Sequence, residues 1–127
     1  MIFIGKLKLF NPELFKLGSE LGCLAAALGM NKSVLIDLIR FIEEIPNDDI
    51  ALKSSLIFVK KLELKGLIKS KWFMRFSTIV KDLSHRKRAR TKLISILRIA
   101  IQIHEVLSKG ISINKCKDID KILSLLK

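Results

Sequence analysis

The chain has 127 residues, half of them apolar and 28% charged, and a net charge of +12. This composition excludes a disordered chain, and the length suits one domain with a real core. No apolar run reaches the ~18 residues of a membrane span, so a helical membrane protein is excluded too.

Residues 1–10 read as a short strand or an arm. Met1-Ile-Phe-Ile-Gly5 is too short for a signal-peptide core and lacks a cleavage pattern after it. Asn11-Pro12-Glu13 is a helix start: a cap, a proline at the first helical position, an acid in the first turn. Leu14, Leu17, Leu21, Leu24 and Leu28 follow at helical spacing, and Gly29 ends the run. A second helix is expected from about Lys32 to Ile45, with Leu35, Leu38, Ile39 and Ile42 on its apolar face and Pro46 as its stop. Asn47-Asp48-Asp49 caps a third, which runs through Leu52, Leu56, Val59 and Leu62 to Gly66.

Two periods compete over residues 67–84. At 3.6, Trp72, Phe76, Ile79, Val80 and Leu83 make one apolar stripe. At 2, Ile68, Trp72, Met74, Phe76 and Val80 share one face, and Lys69, Lys71, Arg75, Ser77 and Lys81 the other. The strand reading orders the charges better and suits β-branched Thr78, Ile79 and Val80. It lacks the Gly, Pro or Asn of a tight turn. From about Ser84 to Lys109 one long helix is expected, ended by Gly110. Its second half, Leu93 to Leu107, is apolar on more than one face and needs cover on both sides. A last helix, about Asp118 to Leu126, supplies part of that cover, and a second copy of the chain could supply the rest. We therefore expect a single domain over 1–127. Its core lies at about 11–83, and 84–127 is a basic long helix plus a C-terminal helix able to dimerise.

The charge is not evenly spread. Residues 67–98 hold ten Lys/Arg against one acid, Asp82, and so carry +9 of the net +12. Residues 1–66 hold nine cations and eight anions. A concentrated positive segment calls for a polyanion, and nucleic acid is the commonest. The sharpest feature is His85-Arg86-Lys87-Arg88-Ala89-Arg90-Thr91-Lys92 at the start of the long helix. Cations there oppose the helix dipole, and Arg86/Arg90 and Arg88/Lys92 repel at i,i+4. Folding gives no reason for that placement; a phosphate backbone does. An acidic protein or an anionic membrane would satisfy the same charge, and a solvated face is the plainest alternative. Trp72, Phe73 and Phe76, interleaved with Lys71 and Arg75, either stack on bases or, as aromatics more often do, fill the core.

Catalysis finds little support. His85 sits among cations, and His104 precedes Glu105 on an apolar helix. No HExxH, nucleophile elbow or phosphate-cradling glycine loop is present. Cys23 and Cys116 form no CxxC and have no paired His spacing, so no metal site is expected, and no cofactor. Both read as small buried residues in a reducing, cytoplasmic setting.

The stretch LKSSLIFVKKLELKGLIKSKW, Leu52 to Trp72, resembles the recognition helix and first wing strand of winged helix-turn-helix repressors of the PadR and MarR type. Ser54 and Ser55 open the helix, Leu56, Val59 and Leu62 face the core, and Lys65-Gly66-Leu67-Ile68 turns into the wing. The resemblance covers about 30 residues, or about 40 with 69–83 as the wing. It implies that Ser54 and Ser55 approach base edges, flanked by Lys53, Lys60 and Lys61, with Lys69, Lys71 and Arg75 on the wing. The helix expected before it is squeezed into 47–52, and Ile57 and Phe58 leave the supposed reading face apolar. A second resemblance, to a plain helix-turn-helix, rests on Ala25, Leu28, Gly29, Leu35 and Leu38. There only Lys32 and Ser33 are placed to touch DNA, and Asp37 would face phosphates.

The sequence thus predicts a mainly α, winged-helix-like domain with a small β-hairpin and a long C-terminal helix. The alternative is an all-α bundle of five or six helices. The expected function is binding of double-stranded DNA as a transcriptional regulator, dimeric through 93–107. Lys81, Arg86, Lys87, Arg88, Arg90, Lys92 and Arg98 join the wing residues in the basic patch. The runner-up is an all-α subunit of a nucleoprotein assembly that tracks RNA or single-stranded DNA. A third reading is an interaction module that docks on an acidic protein or membrane surface.

Overall fold

Three asparagines set where the first three helices begin. The side-chain oxygen of Asn11 accepts from the Leu14 N–H at 3.1 Å, that of Asn31 from Ser33 at 2.9 Å, and that of Asn47 from Ile50 at 3.0 Å. Each satisfies an N–H that a helix end leaves orphaned. The computed structural model describes residues 11–108 and 112–118. Among these, the chain forms α1 (Pro12–Ala27), α2 (Lys32–Glu43), α3 (Asp48–Leu64), α4 (Ser70–Leu83), α5 (Ala89–Leu107) and a 3-10 helix (Ile113–Asp118), with no strand. The fold is mainly α, as expected, in its all-α form. Gly29 and Gly66 take positive φ, 69° and 78°, just past α1 and α3, where a side chain would be strained.

Helix α5 is the axis of the bundle and touches each of α1 to α4. Leu93, Ile96, Leu97, Ala100 and Ile103 are fully buried on it, and Ile94, Ile99 and Leu107 nearly so. The protein's own helices thus supply the cover that the apolar run needs. The expected dimerisation surface of 93–107 is largely interior, and it leaves little for a second copy to bury.

The tightest seam is α1 against α5. A Cβ on Gly22 would lie 2.5 Å from the Ala100 carbonyl oxygen and 2.8 Å from Ile103 Cβ. One on Gly18 would lie 2.6 Å from Ile99 Cβ and 2.7 Å from the Ile96 carbonyl oxygen. Two glycines four apart share one helix face, and their missing side chains let the two backbones come together. Around the seam, the Trp72 indole donates to the Leu21 carbonyl at 2.9 Å, and His104 Nε2 lies 2.7 Å from the Met30 carbonyl, so it carries the proton.

Residues 67–84 correct the strand reading. Residues 70–83 form α4, and the expected hairpin is not seen among the described residues. Packing explains the outcome. The five residues of the helical stripe, Trp72, Phe76, Ile79, Val80 and Leu83, are all buried, whereas the alternating set would bury Met74, which is 66% exposed. The long helix expected from Ser84 is also shortened. α4 ends at Leu83, and the chain turns through 84–88 before α5 starts at Ala89. Only Asp118 of the expected last helix lies within the described residues, where it ends the 3-10 helix; the rest, and residues 1–10, lie outside them.

The cysteines are a second correction. Cys23 and Cys116 are joined in a disulfide across 93 residues of sequence, which ties the 3-10 helix to α1. Spacing in sequence could not show this, because the two meet only when the chain returns to α1. Persistent disulfides belong to oxidising compartments and to hyperthermophile cytosols. The cysteines therefore lend no support to a reducing setting.

Candidate nucleic-acid interface

The basic segment divides by residue type. Of its five arginines, Arg75, Arg86, Arg90 and Arg98 are engaged within the molecule. Arg75 on α4 reaches Glu20 on α1 at 2.5 Å. Arg86 pairs with Glu13 and with Asp82, the latter at 2.9 Å. Glu13 first, then Asp82, raises the Arg86 pKa above its ordinary value. Arg98 reaches Glu43 at 3.1 Å. Arg90 caps α2 by donating to the Ile42 and Glu43 carbonyls at 3.3 and 2.7 Å. A planar fork with several donors suits such bridging.

The lysines and Arg88 are different. Lys69, Lys71, Lys81, Lys87 and Arg88 are exposed, Lys92 is half-buried, and none has an acidic partner among the described residues. Lys71 and Lys81 share the outer face of α4, about 15 Å apart along the helix. Lys87 and Arg88 lie in the turn, and Lys92 is in the first turn of α5.

Arg88 is the N-cap of α5, with φ 56° and ψ 39°. It is the one non-glycine residue at positive φ among the described residues. That conformation costs an L-residue about 1 kcal/mol. Its carbonyl accepts the Lys92 N–H, but no side chain caps the first amides of α5. The positive end of the helix dipole is thus bare and ringed by cations, an environment suited to an anion.

The face implied by the winged-helix resemblance is arranged otherwise. Ser55 is fully buried and donates to the Leu52 carbonyl at 2.6 Å, so it faces the core and not a base edge. Ser54 is half-buried, and Lys53 and Lys61 are exposed. Lys60 bonds Glu63 at 2.6 Å and lies 5.1 Å from the Phe73 ring centre. Lys60, then Ser70, holds the Glu63 carboxyl below the usual carboxylate range. Trp72 and Phe76 stack on each other inside the core, so neither is offered to a base. At the α1–α2 corner, Lys32 pairs with Glu105 at 2.5 Å, and Asp37, Glu43 and Glu44 are exposed along α2. Phosphates would be repelled there.

No protein-family model, curated protein or solved structure matches this chain.

Proposed function

We propose that this protein binds nucleic acid by its phosphate backbone, at the surface formed by the outer face of α4, the 84–88 turn and the first turn of α5. One observation carries the reading. Arg88 stands where glycine would fold better and where a cation opposes the helix dipole, beside lysines that hold no acid. A phosphate at the start of α5 relieves the second cost, and a chain of phosphates can take up the other charges. The role proposed is binding, without catalysis.

RNA or single-stranded DNA is the preferred partner, and an assembly subunit the preferred context. The supports are a helical α4 where the winged-helix reading needs a hairpin, and the burial of Ser55, which removes its base contact. With Trp72 and Phe76 also buried, no base stacking is offered, and the grip proposed is on phosphates alone. The test is binding of RNA, single-stranded DNA and duplex DNA of one length across a salt series. We expect steep salt dependence, with a slope that falls by about 0.7 for each phosphate contact removed by Lys81→Gln, Lys87→Gln or Arg88→Gly. A clear duplex preference would restore the regulator reading. Absence of binding at low salt would end both.

A further inference from the structure

The exposed large apolar side chains among the described residues are Ile50, Ile57, Leu64, Leu67 and Met74, between 51% and 76% exposed. All five lie on the α3–α4 hairpin. Ile50, Ile57 and Leu64 recur every seven residues along α3. A heptad returns a helix to within about 20° of its starting direction, so the three form a nearly straight ridge about 21 Å long. The ridge points away from the side that buries Ala51, Leu52, Ser55 and Val59. Lys53 and Lys60 flank it on one side, Lys61 and Lys65 on the other. Leu67 follows it in the turn after α3, and Met74 is exposed on α4. Between Ile50 and Met74 there are six lysines and one acid, Glu63, which is already bonded to Lys60.

We propose that this ridge seats the protein on an anionic lipid surface. The charge selects the occupant. A second copy related by a two-fold axis would bring the same lysines and be repelled. Residues 1–10 hold Lys6 and Lys8 with no acid, and 119–127 hold Lys121 and Lys127 against Asp120, so neither offers a complementary charge. A nucleic acid uses the lysines but gains nothing from isoleucine or leucine. A bilayer of acidic lipids uses both. The ridge enters the boundary between headgroups and acyl chains, and the lysine stems lie along it with their ammonium groups at the phosphates. No helix among the described residues is long and apolar enough to cross a membrane, so the contact is peripheral. The proposal rests on the outer face of α3, independently of the nucleic-acid reading.

The experiment is co-sedimentation with phosphatidylglycerol–phosphatidylcholine vesicles and with pure phosphatidylcholine vesicles. It compares the native chain with Ile57→Ser, Leu64→Ser and Lys53→Gln/Lys61→Gln. The serine variants keep the charge and remove only solvent-exposed apolar groups, so the fold, followed by circular dichroism, is retained. We expect binding to the acidic vesicles alone, weakened roughly tenfold by each serine substitution. The double lysine variant weakens it further, and Arg88→Gly leaves it unchanged. RNA binding by the serine variants should match the native chain, which separates this proposal from the preceding one. Three results would overturn it: no binding to acidic vesicles at low salt, equal binding by the serine variants, or protection of Ile57 and Leu64 by an acidic amphipathic peptide but not by vesicles.

Discussion

The two ends of α5 are built on opposite terms. Its later half lies against α1 with Gly18 and Gly22 at the contact, and any added atom meets backbone or a branched side chain. Its first turn begins at a left-handed arginine, without a side-chain cap, among cations. One end is arranged so that packing is as close as the chain allows. The other keeps residues that make folding worse. Residues that oppose folding are expected where a protein meets something else. The contrast therefore points to the 84–88 turn as the working end and to the α1–α5 seam as its support.

Substitutions at the two ends should respond in opposite ways. The largest effect is expected at the staple beside the seam. Reduction of the disulfide, or Cys116→Ser, should lower the unfolding free energy by about 4 kcal/mol, since the bond closes a long loop. Denaturant midpoints with and without reductant would show it, and unchanged midpoints would mean that the staple does not stabilise the fold. Gly22→Ala should cost about 3 kcal/mol through overpacking against the Ala100 carbonyl. In an exposed helix the same change would gain about 1 kcal/mol, so the sign alone tests the seam. Arg90→Ala should cost about 1 kcal/mol through loss of the α2 cap and leave RNA affinity nearly unchanged. Arg88→Gly should do the reverse, gaining about 1 kcal/mol in stability while weakening RNA binding. If Arg88→Gly destabilised the fold, or bound RNA as well as the native chain, the contrast would collapse. The smallest effect is at Glu63. Its carboxyl titrates below the usual range in the folded chain, so its contribution is fully present above the unfolded value. That contribution is lost as pH falls through the depressed folded value, and Glu63→Gln should flatten this part of the acid limb.

The placement of the first three helices was legible because their signals are local. Asn11, Asn31 and Asn47 each cap a helix within three residues of themselves. The α4 segment was legible only in part. Its helical stripe was visible, but so was an alternating pattern, and Met74 could not be placed on either side until a core existed to exclude it. The Gly18-x-x-x-Gly22 spacing marks the α1–α5 seam in the structure, but a spacing names no partner helix. In the candidate site, the surplus of cations was plain. Which of them remain available was not, because Glu13, Glu20 and Glu43 reach their arginines from helices far away in sequence.

Local signals in the sequence suffice for a mainly helical fold, the starts of the first three helices and one intensely basic segment. Each of these follows from neighbours within a few residues, through caps, periodicity and net charge. Tertiary structure alone decided that α4 is helical, that α5 is covered by its own chain, that Cys23 meets Cys116, and that Arg90 holds a helix while Arg88 faces solvent. These depend on which distant groups are brought within a few ångströms, and burial and pairing exist only once the helices have packed.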